Sequence, residues 1–250
     1  CSDRNEHFTA SAGWCNIESG PTIGGRSLPV SKVRIVSIPM CGIFGLLTTP
    51  TSSFDLAKNR QVADYFLRLS ETRGKDASGL ALIEQNRIRV LKRPVRGRDL
   101  IRHTGYKSLW REPERLNGFL GHARMVTNGS EETHENNQPV LKDGCLCLHN
   151  GIVVNEHELW SRYPTIRKEY EVDTEILISL FRHFQKRGDM PISSFVHAFQ
   201  ETRGANSMAL TSENLNGILI ATANGSLYFA TSVSSQEVIF ASEKYILTKI

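Results

Sequence analysis

Met40-Cys41-Gly42-Ile43-Phe44-Gly45 places a cysteine directly behind a methionine, at the head of an apolar run with strand character. Removal of that methionine would make Cys41 a free N-terminus that carries a nucleophile and a base on one residue. A backbone amine titrates near about 7.7–8 and a thiol near about 8.5, so the amine is neutral often enough to accept a proton and the thiol ionises readily. A side-chain nucleophile activated by its own N-terminal amine uses this arrangement. A small apolar residue opening a buried strand accounts for the same cysteine without any chemistry. The rest of the chain has to choose between the two.

Outward from Cys41, strand signals recur at 41–47, 78–84, 87–93, 118–124, 145–149, 207–210, 218–222, 227–231 and 238–241. Helical periodicity fills the gaps at 54–70, 156–163, 174–186 and 191–202. The strands come in neighbouring pairs rather than each being followed by a helix, which predicts an α+β fold with mainly antiparallel sheets and helices packed outside them. Two such sheets between two helical layers make a four-layer αββα sandwich.

With 250 residues, 40% apolar and 22% charged, the chain suits one globular domain with an appendage. Residues 1–40 are rich in Gly, Ser, Asn and Pro, and Pro21-Thr22-Ile23-Gly24-Gly25 breaks any regular element. They are expected to form a poorly ordered leader ahead of a domain at 41–250. The chain opens on Cys1 rather than Met, so the leader reads as upstream sequence joined to a protein that starts at Met40, as a propeptide, or as a retained extension. The first is preferred.

No run of eighteen apolar residues occurs and 33–40 is too short for a secretory signal, so a soluble cytoplasmic protein without membrane attachment is expected. Five cysteines, Cys1, Cys15, Cys41, Cys145 and Cys147, are odd in number and scattered, which fits reduced thiols. The net charge is only +4, and Arg87, Arg89, Lys92, Arg93, Arg96 and Arg98 gather in one short segment. Without interleaved aromatics or a known module, that segment reads as a solvated hairpin face or a partner surface, and no nucleic-acid partner is expected.

Five stretches carry candidate chemistry. Arg73-Gly74-Lys75-Asp76-Ala77-Ser78-Gly79 joins a helix to a strand, with Gly74 suited to a helix end and Asp76 to a turn or a site. In Gly121-His122-Ala123-Arg124-Met125-Val126-Thr127-Asn128-Gly129, Arg124 offers a fork for a carboxylate, and Thr127 and Asn128 add short polar groups. His149-Asn150-Gly151 precedes an apolar run, so Asn150-Gly151 reads either as a hairpin turn or as two donors for an oxyanion. Asp173 precedes a helical stretch and reads as an N-cap or as an acceptor for an ammonium group. Cys145, Cys147 and His149 alternate on one strand face, but their spacing is wrong for zinc, and no metal or cofactor is expected.

In this order, the blocks at Cys41, Arg73, Gly121 and His149, with Val172-Asp173-Thr174-Glu175, resemble the class II glutamine amidotransferases, a branch of the N-terminal nucleophile hydrolases. Within that group, 148–152 and 173–175 look most like the glutaminase domain of glucosamine-6-phosphate synthase. Met125 stands where that subfamily usually has tryptophan, and Asn137-Gln138-Pro139 looks more like the asparagine synthetases and purine amidophosphoribosyltransferases.

The resemblance implies that Cys41 attacks the side-chain amide of L-glutamine while its amine moves the proton. Asn150 and Gly151 hold the oxyanion. Arg124 takes the α-carboxylate and Asp173 the α-ammonium, with Thr127, Asn128 and Gln138 lining the pocket and Arg73, Gly74 and Asp76 in support. It also implies an ammonia-accepting synthase domain or subunit that this chain lacks, and it leaves an oligomer open. The alternative of another class is a non-catalytic glutamine-sensing or scaffold domain, motivated by the residues ahead of Cys41.

Overall fold

The computed structural model describes residues 41–49, 55–113, 115–126, 129–223, 225–233 and 236–250. The expectations for residues 1–40, Thr127 and Asn128 lie outside the described residues.

β1 (Gly42–Thr48) begins immediately after Cys41 and runs through the middle of a six-stranded sheet. The sheet order is β3 (Ile88–Arg93), β2 (Ala77–Glu84), β4 (Leu116–Arg124), β1, β10 (Glu237–Ala241) and β9 (Tyr228–Thr231), with every pairing antiparallel. A second antiparallel sheet holds β5 (Val140–Lys142), β6 (Cys145–Gly151), β7 (Asn206–Ser212) and β8 (Leu219–Ala223).

Side chains alternate across each strand, so each sheet feeds two apolar layers. Phe44, Leu46, Leu80, Leu82 and Phe119 face one way, onto α1 (Leu56–Leu69), α2 (Gly97–Arg102) and α3 (Thr104–Leu109). Ile43, Ala81, Leu120 and Phe240 face the other way and meet Leu146, Leu148 and Ala209 of the second sheet. Beyond that sheet, Cys145, Cys147, Met208 and Leu210 pack with Ile176, Leu180 and Phe195. The helices of this outer layer are α4 (Glu156–Arg162), α5 (Thr174–Lys186) and α6 (Pro191–Glu201). The result is the expected αββα sandwich. Local chemistry supports the helices: the Asp55 carboxylate accepts the Ala57 and Lys58 N–H groups at 2.9 and 3.1 Å, and Pro191 occupies the first turn of α6, where its missing N–H costs nothing.

All nine expected strands and all four expected helices form, with ends shifted by up to two residues. β5, α2, α3 and a final helix, α7 (Lys244–Leu247), were not legible. Each is short, and β5 is a strand only because Val140–Lys142 pairs with Cys145–Cys147.

Two local readings change. Asn150-Gly151 is not a hairpin turn, because β6 continues through it, paired residue by residue with β7, and α4, α5 and α6 intervene in sequence. The basic segment is a solvated face except at Lys92: Arg87, Arg93, Arg96 and Arg98 are exposed, Arg87 and Arg89 pair with Glu84, Arg96 with Asp99 and Arg98 with Glu71, while Lys92 is buried. Cys145 and Cys147 are spent on the helix-facing core. Among the described residues no three His, Cys, Asp or Glu side chains gather as they would around a metal ion.

Candidate active site

Cys41 stands at the end of β1 where the two sheets converge. Strand alternation turns it, with Ile43, toward the inter-sheet side. The same alternation places His122 and Arg124 of β4 and Asn150 of β6 on that side, in phase with Leu120 and Leu148. Register brings β4 alongside, with Gly42 opposite Ala123 and Ala77 opposite Arg124.

The Cys41 thiol is buried. It donates to the Met125 carbonyl at 3.2 Å and accepts the Met125 N–H at 3.3 Å. Burial pushes its pKa up and Asp173 adds to that, against the opposing pull of the Met125 backbone and Arg124. The resting group is therefore a thiol, and its described hydrogen-bond partners are backbone groups that cannot take its proton.

The Arg73-to-Asp76 turn braces this corner. Arg73 Nε donates to the Cys41 carbonyl at 3.4 Å and Nη1 pairs with Glu243 at 2.8 Å. A Cβ on Gly74 would stand 2.2 Å from the Arg124 carbonyl carbon, so only glycine lets the two backbones approach. Asp76 does not cap its own turn. Its carboxylate accepts the Val126 N–H at 2.8 Å and its N–H donates to the Arg124 carbonyl at 3.1 Å, which fixes the segment that touches the thiol.

Arg124 is buried and donates to Asn137 Oδ1 and to the Gly129 carbonyl, both at 2.8 Å. Gln138, expected to line a pocket, is committed to β6: Oε1 accepts the His149 N–H at 2.6 Å and Nε2 donates to the His149 carbonyl at 2.9 Å. Gly151 has φ 153°, and a Cβ there would stand 1.9 Å from the Ala205 carbonyl oxygen, so the position requires glycine.

Asp173 makes no side-chain cap for α5. Its carboxylate accepts the Val153 N–H at 2.9 Å and lies 3.5 Å from His149 Nδ1. Burial pushes this carboxyl up, but His149 and the Val153 and Thr174 backbone outweigh that and hold it below the usual range. Burial works against the His149 cation, yet Asp173 and Asn206, whose Oδ1 lies 2.9 Å from Nε2, raise its pKa. His122, by contrast, is driven down to about 3 by burial and by Arg124, so it stays neutral.

Sequence reasoning passed over Lys92, Asn137, Ser242 and Glu243. Lys92 Nζ donates to the Asn137 and Pro139 carbonyls at 2.7 and 3.1 Å, and Ser242 bonds both β1 and Asn150. No linear signal marks these residues except that Ser242 and Glu243 directly follow the last strand. A cleft of about 730 Å³ opens at the other end of β1, around Leu47, Thr48, Ile83 and Ile218, remote from the thiol.

A family model described as a glutamine amidotransferase domain matches residues 122–249, just over half of the chain. The chain belongs to that family. As a glutamine amidotransferase domain it falls in an enzyme class, and its relatives agree. Glutamine–fructose-6-phosphate aminotransferase of Aquifex aeolicus is 30% identical over 191 residues, covering 75% of this chain and 30% of that protein. The enzyme of the same name from Sulfurisphaera tokodaii is 28% identical over 171 residues, covering 66% of this chain and 27% of that protein. This domain therefore spans less than a third of the curated relatives it matches. In fold it is similar to glutamine phosphoribosylpyrophosphate amidotransferase from B. subtilis, with a TM-score of 0.65 at 18% identity over 83% of this chain and 43% of that one. That likeness agrees with the αββα sandwich that the two antiparallel sheets and their helical layers build. Among the described residues no helix is long and apolar enough to cross a membrane.

Proposed function

We propose that this domain hydrolyses the side-chain amide of L-glutamine through Cys41, once removal of residues 1–40 has freed the Cys41 amine. The observation that carries this is the state of the thiol: burial keeps it protonated, and its described partners are the carbonyl and N–H of Met125. A base has to come from elsewhere, and the amine of an N-terminal cysteine is covalently placed to serve.

The amine takes the thiol proton, and sulfur attacks the amide carbon to give a tetrahedral oxyanion. The C–N bond then breaks, nitrogen takes the proton back and leaves as ammonia, and a γ-glutamyl thioester remains. Water cleaves the thioester to glutamate and returns the thiol. Asn150 and Gly151 are the donors assigned to the oxyanion, and loss of one such donor costs about 10²–10³ in turnover. Arg124 receives the α-carboxylate and Asp173 the α-ammonium, with Thr127 and Asn128 lining the pocket. Gln138 supports it through β6. The ammonia passes to a synthase domain or subunit in the cytoplasm, and the curated relatives point to one that aminates a sugar phosphate.

The test is glutamine turnover by the full chain, a chain beginning at Met40, and Cys41→Ala in each. Turnover only in the shortened wild type establishes the N-terminal nucleophile. Turnover that survives Cys41→Ala refutes it, and glutamine binding with no turnover in any form establishes the sensing domain instead.

A further inference from the structure

Ser242 lies just past β10, where β1 and β6 come together. Its hydroxyl oxygen accepts the Ile43 N–H at 3.0 Å, and its own N–H donates to the Ile43 carbonyl at 2.9 Å. The same oxygen lies 3.0 Å from Asn150 Nδ2 and 3.4 Å from the Ile43 carbonyl oxygen. Ser242 and Asn150 are each 1% exposed, and Asn150 Oδ1 is buried with no hydrogen-bond partner among the described residues.

A serine hydroxyl has one proton and two lone pairs, and a carboxamide has two N–H donors and one accepting oxygen. With Nδ2 turned to Ser242, both lone pairs of the hydroxyl are used, its proton has only the long contact to Ile43, and an amide oxygen is stranded. A stranded acceptor would repel a developing oxyanion. A half-turn of the carboxamide exchanges its nitrogen and oxygen without changing its shape. The Ser242 proton then goes to Oδ1 across the same separation, the Ile43 N–H bond is kept, and Nδ2 takes the place of the stranded oxygen with both donors unspent.

We propose that Ser242 is a positioning residue for glutamine hydrolysis: by donating its hydroxyl to Asn150 Oδ1 it turns the Asn150 amide nitrogen toward the reacting carbonyl and ties that orientation to the nucleophile's own strand through Ile43. The inference rests on the reading of Asn150 as an oxyanion donor. The hydroxyl neither touches substrate nor moves a proton in the reaction. It decides which end of Asn150 faces the oxyanion.

The experiment measures kcat and KM for glutamine in the full chain and in the chain beginning at Met40. The variants are Ser242→Ala, Ser242→Thr, Ser242→Cys, Asn150→Ala and the Ser242→Ala/Asn150→Ala pair. Ser242→Ala is expected to lower kcat by about 10- to 100-fold with KM within about twofold, less than the loss of a direct oxyanion donor. Ser242→Thr retains the hydroxyl and most of the activity. Ser242→Cys keeps the volume but donates weakly, so it follows the alanine variant and covers the case in which alanine does not fold. In the Asn150→Ala background, Ser242→Ala should change kcat by less than about twofold, because the two act as one unit.

Equal losses in both backgrounds, or a rise in KM with kcat unchanged, would overturn the role. Wild-type turnover that Ser242→Ala leaves intact overturns this inference alone. Absence of wild-type turnover in either chain overturns the glutaminase reading beneath it.

Discussion

Among single residues, the buried Asp173–His149 pair makes a signed pH prediction. Asp173 is held below the ordinary carboxylate value, so its stabilising contribution is present above that value and fades as pH falls through the lowered one. His149 is raised above the ordinary histidine value, so its contribution is present below that value and is lost as pH rises through the raised one. Both hold from about pH 4 to about pH 6.5. Asp173→Asn should therefore cost about 3 kcal/mol near pH 5.5, the scale of a broken buried pair, and clearly less near pH 9. Denaturant unfolding of both proteins at the two pH values measures it, and an equal gap would mean that the charge on His149 does not change between them. None of this was legible in sequence, where Asp173 read as a helix cap or a ligand group. Its partner is twenty-four residues away and meets it only because β6 ends beside α5.

The segments between strands are held by close backbone approach and by one buried cation. Gly74→Ala would drive a methyl group into the Arg124 carbonyl carbon, 2.2 Å away, where backbone cannot give way. It should destabilise by about 1–3 kcal/mol or more and raise KM for glutamine, because Arg124 and the Met125 contact to the thiol shift together. Circular-dichroism melting beside steady-state kinetics tests both parts. Lys92, on β3, fastens the Asn137–Pro139 segment that in turn holds Arg124 and β6. Burial lowers its pKa to about 8. The folded state therefore sheds this proton before the unfolded chain does, and the Lys92 contribution to stability rises between about pH 8 and the ordinary lysine value of about 10.4. Wild type should gain stability over Lys92→Met across that window, and a constant difference would contradict the burial. In sequence Lys92 was one basic residue among six; only the seating of 137–139 against β3 sets it apart.

Across the molecule, the three apolar layers have separate tasks. The helix-facing layer around Phe66 carries stability, whereas the inter-sheet layer around Leu148 also sets the spacing between β1, which Cys41 immediately precedes, and β6, which carries Asn150 and Gly151. Phe66→Ala should cost about 3–5 kcal/mol and Leu148→Ala about 2–5 kcal/mol. Only Leu148→Ala should also lower kcat of the folded protein at a temperature where both remain folded. Unfolding midpoints paired with turnover separate the two, and a matched fall in kcat would remove the distinction between the layers.

Period-2 patterning and strand pairing were sufficient for the αββα architecture, because burying both faces of two sheets leaves few other arrangements. Five collinear blocks were sufficient for the family, because each block is a short run of residues contiguous in sequence. Three properties belong to the tertiary structure alone: the protonated state of the Cys41 thiol, the commitment of Gln138 and Asp173 to protein partners, and the bridge from Ser242 to Asn150. Each depends on burial and on contacts between segments far apart in the chain, which linear spacing does not encode.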